Sequence, residues 1–435
     1  MADRSAKFRR DLVEYLRREG YLNDDRVAAA FDDVPREAFL ADHAARHGIK
    51  AVYRDEAIVT RRDDTGMPMS SSSQPAIMAR MLEMLAVSPG QRVLEVGAGT
   101  GYNAALLAQL VGPKGTVTSV ELDRELAGRA RNALLAAGAD ATVVVGDGRR
   151  GMPDGDQVDR IVVTASGDTV PRAWYDQLVP GGLLVVPFRL SVVMFALQAV
   201  VAFRKVASGF DAEAVTAGAF MTLRDPEGSR PRAAMVASEM ADHGAHTGHR
   251  RPTGPRGPTG GPTDGDDDGS AVHEGPDDRP LVELSGPALA ALGPADRQRL
   301  MVTALGFART RQVGLGGAPS WSLGAYATLA LPEERLVEVV GPRWPAAGEH
   351  ILGVVDAVDG SLAVLAGSGG RARIEAYGAP GAERTVAGVV DRWRAAGRPG
   401  VEDLRLRVRY GPERPHAWRT LRRGDHWVAC DWTPA

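Results

Sequence analysis

Residues 93–101 read Val-Leu-Glu-Val-Gly-Ala-Gly-Thr-Gly, and no other stretch constrains the fold as strongly. Val93, Leu94 and Val96 spell a short buried strand. Gly97, Gly99 and Gly101 spell a turn almost free of side chains, and Tyr102 to Leu110 spells the helix that follows. A strand, a glycine turn and a helix in that order let a ligand approach bare backbone at the positive end of a helix. Dinucleotide sites usually space their glycines G-x-G-x-x-G. Here the spacing is Gly97-x-Gly99-x-Gly101, with acidic Glu95 just before it. That variant suits a ligand without a pyrophosphate, such as S-adenosylmethionine.

From Gln91 onward strands and helices alternate. Strands are predicted at 92–96, 116–121, 142–146 and 158–164, with helices at 102–110, 124–137 and 171–178. Pro180-Gly181-Gly182 then turns into a strand at 183–188. Such alternation predicts an α/β fold, a doubly wound, mostly parallel sheet with helices on both faces. Ligands in such sheets bind at the carboxyl ends of the strands. Those ends are Glu95–Gly101, Glu121, Asp147–Gly148 and Ala165. An acid ending the second strand can accept both hydroxyls of a ribose, which assigns that role to Glu121. Asp147 is placed to accept from an adenine amine, with Gly148 offering backbone contacts. Glu95, under the turn, would hold the turn or a ligand's ammonium. The predicted cofactor-binding set is therefore Glu95, Gly97, Ala98, Gly99, Gly101, Glu121, Asp147, Gly148 and Ala165.

Upstream, helical periodicity covers 5–20 and 24–32, Val34-Pro35 breaks it, and a strand fits 57–60. Ser70-Ser71-Ser72-Ser73-Gln74-Pro75 is predicted to be a polar turn that caps a helix at 76–86. Residues 183–203 are apolar enough to raise the question of a membrane span. Pro187, Arg189 and the abundance of Val and Phe favour two strands instead, at 183–188 and 191–205.

Around residue 225 the composition changes. Residues 225–280 are rich in Gly, Pro, Asp and His, and predict a disordered linker. His243, His246 and His249 in it read as solvated rather than metal-binding. Residues 281–435 predict an accessory α+β domain with helices at 294–304 and 382–396 and strands at 352–356, 361–365, 403–410 and 426–432. Residues 310–330 carry no clear pattern. The expected division is 1–224, 225–280 and 281–435. Net charge is −3, which offers no electrostatic footprint for nucleic acid or an anionic membrane. The single cysteine, Cys430, excludes a disulfide framework and a thiolate metal cluster. It fits a reducing, cytoplasmic setting, and residues 1–20 have no secretory pattern. No metal is expected, and the sequence leaves the oligomeric state open.

Residues 5–222 resemble the protein L-isoaspartyl O-methyltransferases. The resemblance rests on Ser73-Gln74-Pro75, Met78-Ala79-Arg80-Met81, Val93 to Tyr102, Ser119-Val120-Glu121, Gly146-Asp147-Gly148, Asp159 to Ala165 and Pro180-Gly181-Gly182. It implies a class I methyltransferase fold, S-adenosylmethionine as cofactor, and methyl transfer to a peptide carboxylate. By position in the family, Ser73 touches the acceptor carboxylate, with Ser71 and Ser72 as neighbours.

The serine run and the long extension further resemble a subgroup encoded beside lanthipeptide and graspetide precursors. That likeness implies methylation of an Asp in a macrocyclised ribosomal peptide. The ester would then close to an aspartimide, which persists or opens to isoaspartate. Residues 281–435 would help recognise the peptide. General repair of isoaspartyl damage is the first alternative. A non-catalytic peptide-binding protein on the same fold is the second.

Overall fold

The computed structural model describes residues 2–64, 66, 68–191, 198–218, 220–224, 283–290, 292–340 and 350–432. The expected linker 225–280, with His243, His246 and His249, lies outside them.

Four helices open the chain: α1 (Ala2–Arg18), α2 (Asp25–Asp33), α3 (Ala41–His47) and α4 (Ile49–Val52). Asp24 caps α2 by accepting from the N–H groups of Arg26 and Val27, and Val27 and Phe31 face inward as their spacing predicts. Strands β1 (Ile58–Arg62) and β2 (Pro68–Ser72) then form an antiparallel hairpin, with Ile58 opposite Ser72 and Val59 opposite Ser71. The serine run is therefore a strand up to Ser72, not the predicted capping turn. The helix behind it, α5 (Pro75–Leu85), takes its cap from elsewhere: Asp55 accepts from the Ala76 N–H at 2.8 Å and from Gln74 Nε2 at 2.8 Å.

The alternating region follows its predicted order: β3 (Arg92–Val96), α6 (Tyr102–Val111), β4 (Thr116–Glu121), α7 (Arg124–Ala137), β5 (Thr142–Val145), β6 (Val158–Val163), α8 (Arg172–Gln177) and β7 (Leu178–Arg189). Each strand has a buried apolar segment, and Leu94, Ile161 and Leu184 are fully inaccessible. β8 (Gln198–Val206) and β9 (Gly209–Ala217) add antiparallel strands beyond β7. The apolar stretch that raised the membrane question is thus strand over 183–189, in β7, and over 198–203, in β8, while residues 192–197 of the predicted second strand lie outside the described residues. No helix of the described residues is long and apolar enough to cross a membrane.

The later strands are β10 (Glu283–Ser285), β11 (Arg309–Val313), β12 (Leu336–Val340), β13 (His350–Asp356), β14 (Ser361–Ser368), β15 (Arg371–Tyr377), β16 (Leu404–Tyr410), β17 (Arg419–Arg423) and β18 (His426–Trp432). The patternless stretch 310–330 resolves into β11 and a helix, Ser320–Ala330, that is buried on nearly every side. Six of these strands form a second sheet in the order β10-β12-β13-β14-β15-β11. The last three do not join it. The main sheet has ten strands, β17-β18-β16-β9-β8-β7-β6-β3-β4-β5. The described residues within 281–435, expected as one accessory domain, are shared between two sheets. The seam is β9 against β16, where Gly209 has φ +146° and a Cβ would lie 1.9 Å from the Val408 carbonyl oxygen. Arg409 adds side-chain bonds across it, to the Phe210 carbonyl at 2.7 Å and to Asp211.

Candidate active site

The chain runs from β3 outward to β4 and β5, then returns to place β6 on the other side of β3. That reversal opens a crevice at the carboxyl ends of β3 and β6, where open α/β sheets bind ligands. The glycine turn fills it. Gly97, Gly99 and Gly101 all have positive φ. At Gly97, with φ +98°, a Cβ would stand 2.4 Å from Thr164 Oγ1. Thr164 uses that hydroxyl to donate to the Gly97 carbonyl at 2.7 Å. The end of β6 thereby clamps the end of β3. Ala98 is buried beneath the turn and its carbonyl accepts from the Gly101 N–H at 2.8 Å.

Glu121 ends β4 and is 5% exposed. Its Oε2 accepts from the Gly99 N–H at 3.0 Å and its Oε1 from the Asp123 N–H at 3.0 Å. Each oxygen retains a lone pair beyond these bonds, which fits acceptance of two adjacent hydroxyls. Arg224 Nη2 stands 3.8 Å from Oε1. Asp123 caps α7 through the Glu125 and Leu126 N–H groups and pairs with Arg61 of β1 at 2.7 Å. Burial works against its charge, but those amides and Arg61 hold its pKa below the ordinary value.

Glu95 is placed differently from its neighbours. It is fully buried, accepting from Asn103 Nδ2 at 2.8 Å and Ser119 Oγ at 2.5 Å. It ties β3 to α6 and β4 and holds the turn from behind. Burial pushes its pKa up to about 7, with the Ser119 and Asn103 bonds opposing.

Asp147, beyond β5, accepts from the Arg149 N–H at 3.1 Å and pairs with Arg149 Nε at 3.0 Å. Gly148 is buried against Val96, and its carbonyl accepts from Trp174 Nε1 at 2.8 Å. Ala165 follows Thr164 at the rim. Next to it, Ser166 exchanges backbone bonds of 2.8 Å with Met221 and Leu223. The segment 220–224 therefore crosses the carboxyl end of β6.

The serine strand approaches from the other side. A Cβ on Gly99 would lie 3.7 Å from the Ser71 carbonyl oxygen and 4.0 Å from Ser70 Oγ. Ser70 is buried and accepts from Thr60 Oγ1 at 3.0 Å. Ser73 lines a small pocket with Met78, Asn103, Thr164 and Phe220. A larger cleft of about 350 Å³ is lined by Phe39, Ile58, Thr60 and Leu126, with Gly99 and Thr100 in its wall.

One residue at the site was not singled out from the sequence. Arg36 begins a short 3-10 helix after Pro35 and is fully buried. Its Nη2 donates to the Ser73 carbonyl at 2.9 Å and to Ser72 Oγ at 3.3 Å. Its Nη1 donates to the Val52 carbonyl at 3.0 Å and the Arg54 carbonyl at 3.3 Å.

Residues 7–228 match the sequence model of the family described as Protein-L-isoaspartate(D-aspartate) O-methyltransferase. The chain belongs to that family. Its members are enzymes that use S-adenosylmethionine. The protein-L-isoaspartate O-methyltransferase of Methanopyrus kandleri is 43% identical over 195 residues, covering 43% of this chain and 80% of that protein. That of Thermotoga maritima is 40% identical over 173 residues, covering 40% of this chain. The match spans about half of the Thermotoga protein, 53% of its length. A solved protein-L-isoaspartate O-methyltransferase is 24% identical with a TM-score of 0.48, covering 92% of this chain and 96% of that one. A Plasmodium falciparum structure bearing the family name, in complex with S-adenosyl-L-homocysteine, is 19% identical with a TM-score of 0.42. It covers 49% of this chain and 97% of that one.

Proposed function

We propose that this protein methylates the free carboxylate of an isoaspartyl or aspartyl residue within a peptide. The observation that carries the reading is the approach of the serine strand to the glycine turn, Ser71 against Gly99, in a chain of this family. When bound, S-adenosylmethionine supplies the methyl group on a sulfonium.

The chain's own residues hold and exclude. Glu121 takes the ribose hydroxyls with the lone pairs its backbone bonds leave free. Gly97, Ala98, Gly99 and Gly101 present backbone to the cofactor, Ala165 and Gly148 flank the adenine, and Asp147 accepts at its edge. Glu95 holds the turn rather than the ligand, because Asn103 and Ser119 already engage it. Ser73, with Ser71 and Ser72, orients the acceptor carboxylate. A carboxylate of pKa about 4 is ionised at neutral pH, so the reaction requires no general base. What remains is alignment of one oxygen with the methyl carbon and exclusion of water. Met78 and Phe220, packed around Ser73, serve the exclusion.

Two acceptors fit this chemistry. General repair of isoaspartyl damage requires nothing beyond the domain in hand and agrees with the relatives' names. The four consecutive serines and the second sheet support the narrower reading, a macrocyclised ribosomal peptide whose Asp ester closes to an aspartimide.

Mass analysis after incubation with S-adenosylmethionine separates them. Gain of one methyl on unrelated short isoaspartyl peptides, followed by loss of methanol, marks repair. The same change confined to a cyclised, Asp-containing precursor marks tailoring. Absence of S-adenosylhomocysteine with every acceptor would leave only a non-catalytic binding protein.

A further inference from the structure

Arg36 is a buried cation without a carboxylate beside it. Its guanidinium donates only to three backbone carbonyls and to the Ser72 hydroxyl, and Nε has no partner. Its charge sits 5.7 Å from the centre of the Tyr102 ring. Among the described residues no acid pairs with it. The neighbouring Glu37 is occupied by Tyr53 and Ser5. Asp55 acts on Arg36 only at longer range and is committed to the start of α5. Burial accordingly pulls the Arg36 pKa below its ordinary value.

A charge taken out of water and met only by neutral acceptors is costly to keep. Its position gives the cost a use. Nη2 touches both residues that lead into the acceptor pocket, Ser72 through its hydroxyl and Ser73 through its carbonyl. A serine oxygen that accepts from a guanidinium has its own hydrogen left to donate elsewhere. The Ser73 carbonyl, a dipole whose negative end would repel an arriving anion, is turned toward the cation and away from that role.

We propose that Arg36 is the buried counter-charge of the acceptor carboxylate, acting through Ser72 and Ser73 to make this pocket prefer an anion over its neutral isostere. The inference rests on the carboxylate-methylating function proposed above. Arg36 is a positioning residue in this scheme. It stands behind the serines, out of contact with the reacting oxygen. That arrangement suits a reaction in which the anion loses its charge on the way to the transition state. A cation in direct contact would favour the bound ground state over the transition state and slow the step. A cation one residue removed assists binding and leaves turnover largely unaffected.

The test compares two pairs of peptides on wild type, Arg36→Met and Arg36→Lys. The first pair is an isoaspartyl peptide as substrate and its isoasparaginyl amide as competitive inhibitor. The second repeats the comparison at an ordinary Asp and Asn. Wild type should bind the carboxylate about tenfold to a hundredfold more tightly than the amide, the range expected of a hydrogen bond to a charged group. Arg36→Met should raise KM for the carboxylate by that factor, with kcat and the affinity for S-adenosylmethionine little changed. Arg36→Lys should keep most of the preference. A purely structural role would lower the melting temperature and leave the carboxylate-to-amide ratio intact in the folded fraction, which overturns the inference.

Should Arg36→Met fail to fold, the wild-type ratio still decides, since equal affinity for acid and amide also overturns it. If wild type binds S-adenosylmethionine and methylates no carboxylate at all, it is the proposed function that fails.

Discussion

The backbone N–H of Val170 donates to Nε2 of His426 at 3.2 Å, across 256 residues of sequence. The carbonyl of the same residue accepts from the Tyr410 hydroxyl at 3.0 Å. Val170 is fully buried, and both polar atoms of its backbone are satisfied by side chains of the last strands. It lies in the loop that follows β6, a few residues beyond Thr164 and Ala165 at the candidate site. The carboxyl-terminal strands β16 and β18 therefore brace the loop after β6 directly.

This bond has a definite pH dependence. His426 accepts at Nε2 and holds its proton on Nδ1, which faces Asp425 at 3.0 Å, so the imidazole must be neutral. Burial lowers its pKa, Asp425 opposes, and Arg422 and Arg423 of β17 add to the lowering. Tyr410 packs on the ring from β16. A depressed folded pKa means that the unfolded chain binds the proton first. The contribution is whole above about pH 6.5 and is lost as pH falls through the folded value. His426→Ala should cost about 1–3 kcal/mol near neutrality by orphaning a buried N–H. Denaturant melts run from about pH 8 to about pH 4 should show the two proteins converging in acid. A gap that stays constant over that range would refute the assignment.

Glu121 should matter to the cofactor more than to the fold. Glu121→Gln keeps an acceptor for the Gly99 N–H but loses the second carboxylate oxygen. Titration calorimetry should find S-adenosylmethionine bound about tenfold to a hundredfold more weakly, with the acceptor KM unchanged. An unaltered cofactor affinity would remove Glu121 from the binding set.

What could be read from the sequence, and what could not, follows from the range of the forces involved. The glycine turn and the strand-end acids announce themselves because period, turn chemistry and charge are local. The serine run misled for the same reason. Hydroxyl residues favour turns locally, yet pairing with Ile58 and Val59 makes Ser71 and Ser72 a strand. Arg36 gave no signal, since an arginine beside a proline at a helix start reads as a solvated side chain. Only the folded chain brings Val52, Arg54, Ser72 and Ser73 around it. The sharing of residues 281–435 between two sheets was hidden likewise. It depends on Val408 meeting Phe210, and pairings of that separation leave no trace in periodicity.

Gly97 should tolerate no side chain. A Cβ there meets Thr164 Oγ1 at 2.4 Å, on a backbone at φ +98° that side chains rarely adopt. Gly97→Ala should destabilise by about 1–3 kcal/mol and weaken cofactor binding together. Thr164→Ala removes the clash and the clamp on the Gly97 carbonyl at once, so combining the two substitutions should relieve only part of the loss. Melting and cofactor titration of the three proteins check this. Full recovery in the double variant would mean that sterics alone, and not the left-handed backbone, fix the glycine.

Glu95 predicts a pH response opposite in sign to that of His426. Unfolded, its carboxyl loses the proton near 4.5; folded, burial keeps the proton on up to about 7. The folded chain thus binds more protons between those values. Stability from this group is complete below about pH 4.5 and drains away as pH rises through about 7. At 1.36 kcal/mol per unit the loss is on the order of 3 kcal/mol. Glu95→Gln preserves the acceptor for Asn103 and the contact with Ser119, and it cannot ionise. Its stability relative to wild type should therefore rise from about pH 5 to about pH 8, and by the higher pH it should equal or exceed wild type. Where both groups titrate, His426 adds stability as pH rises and Glu95 removes it, so in wild type the two oppose each other. Relative to wild type, His426→Ala should lose stability as pH rises through that range and Glu95→Gln should gain it. Profiles of both variants that run parallel to that of wild type would mean that neither buried group sets the balance.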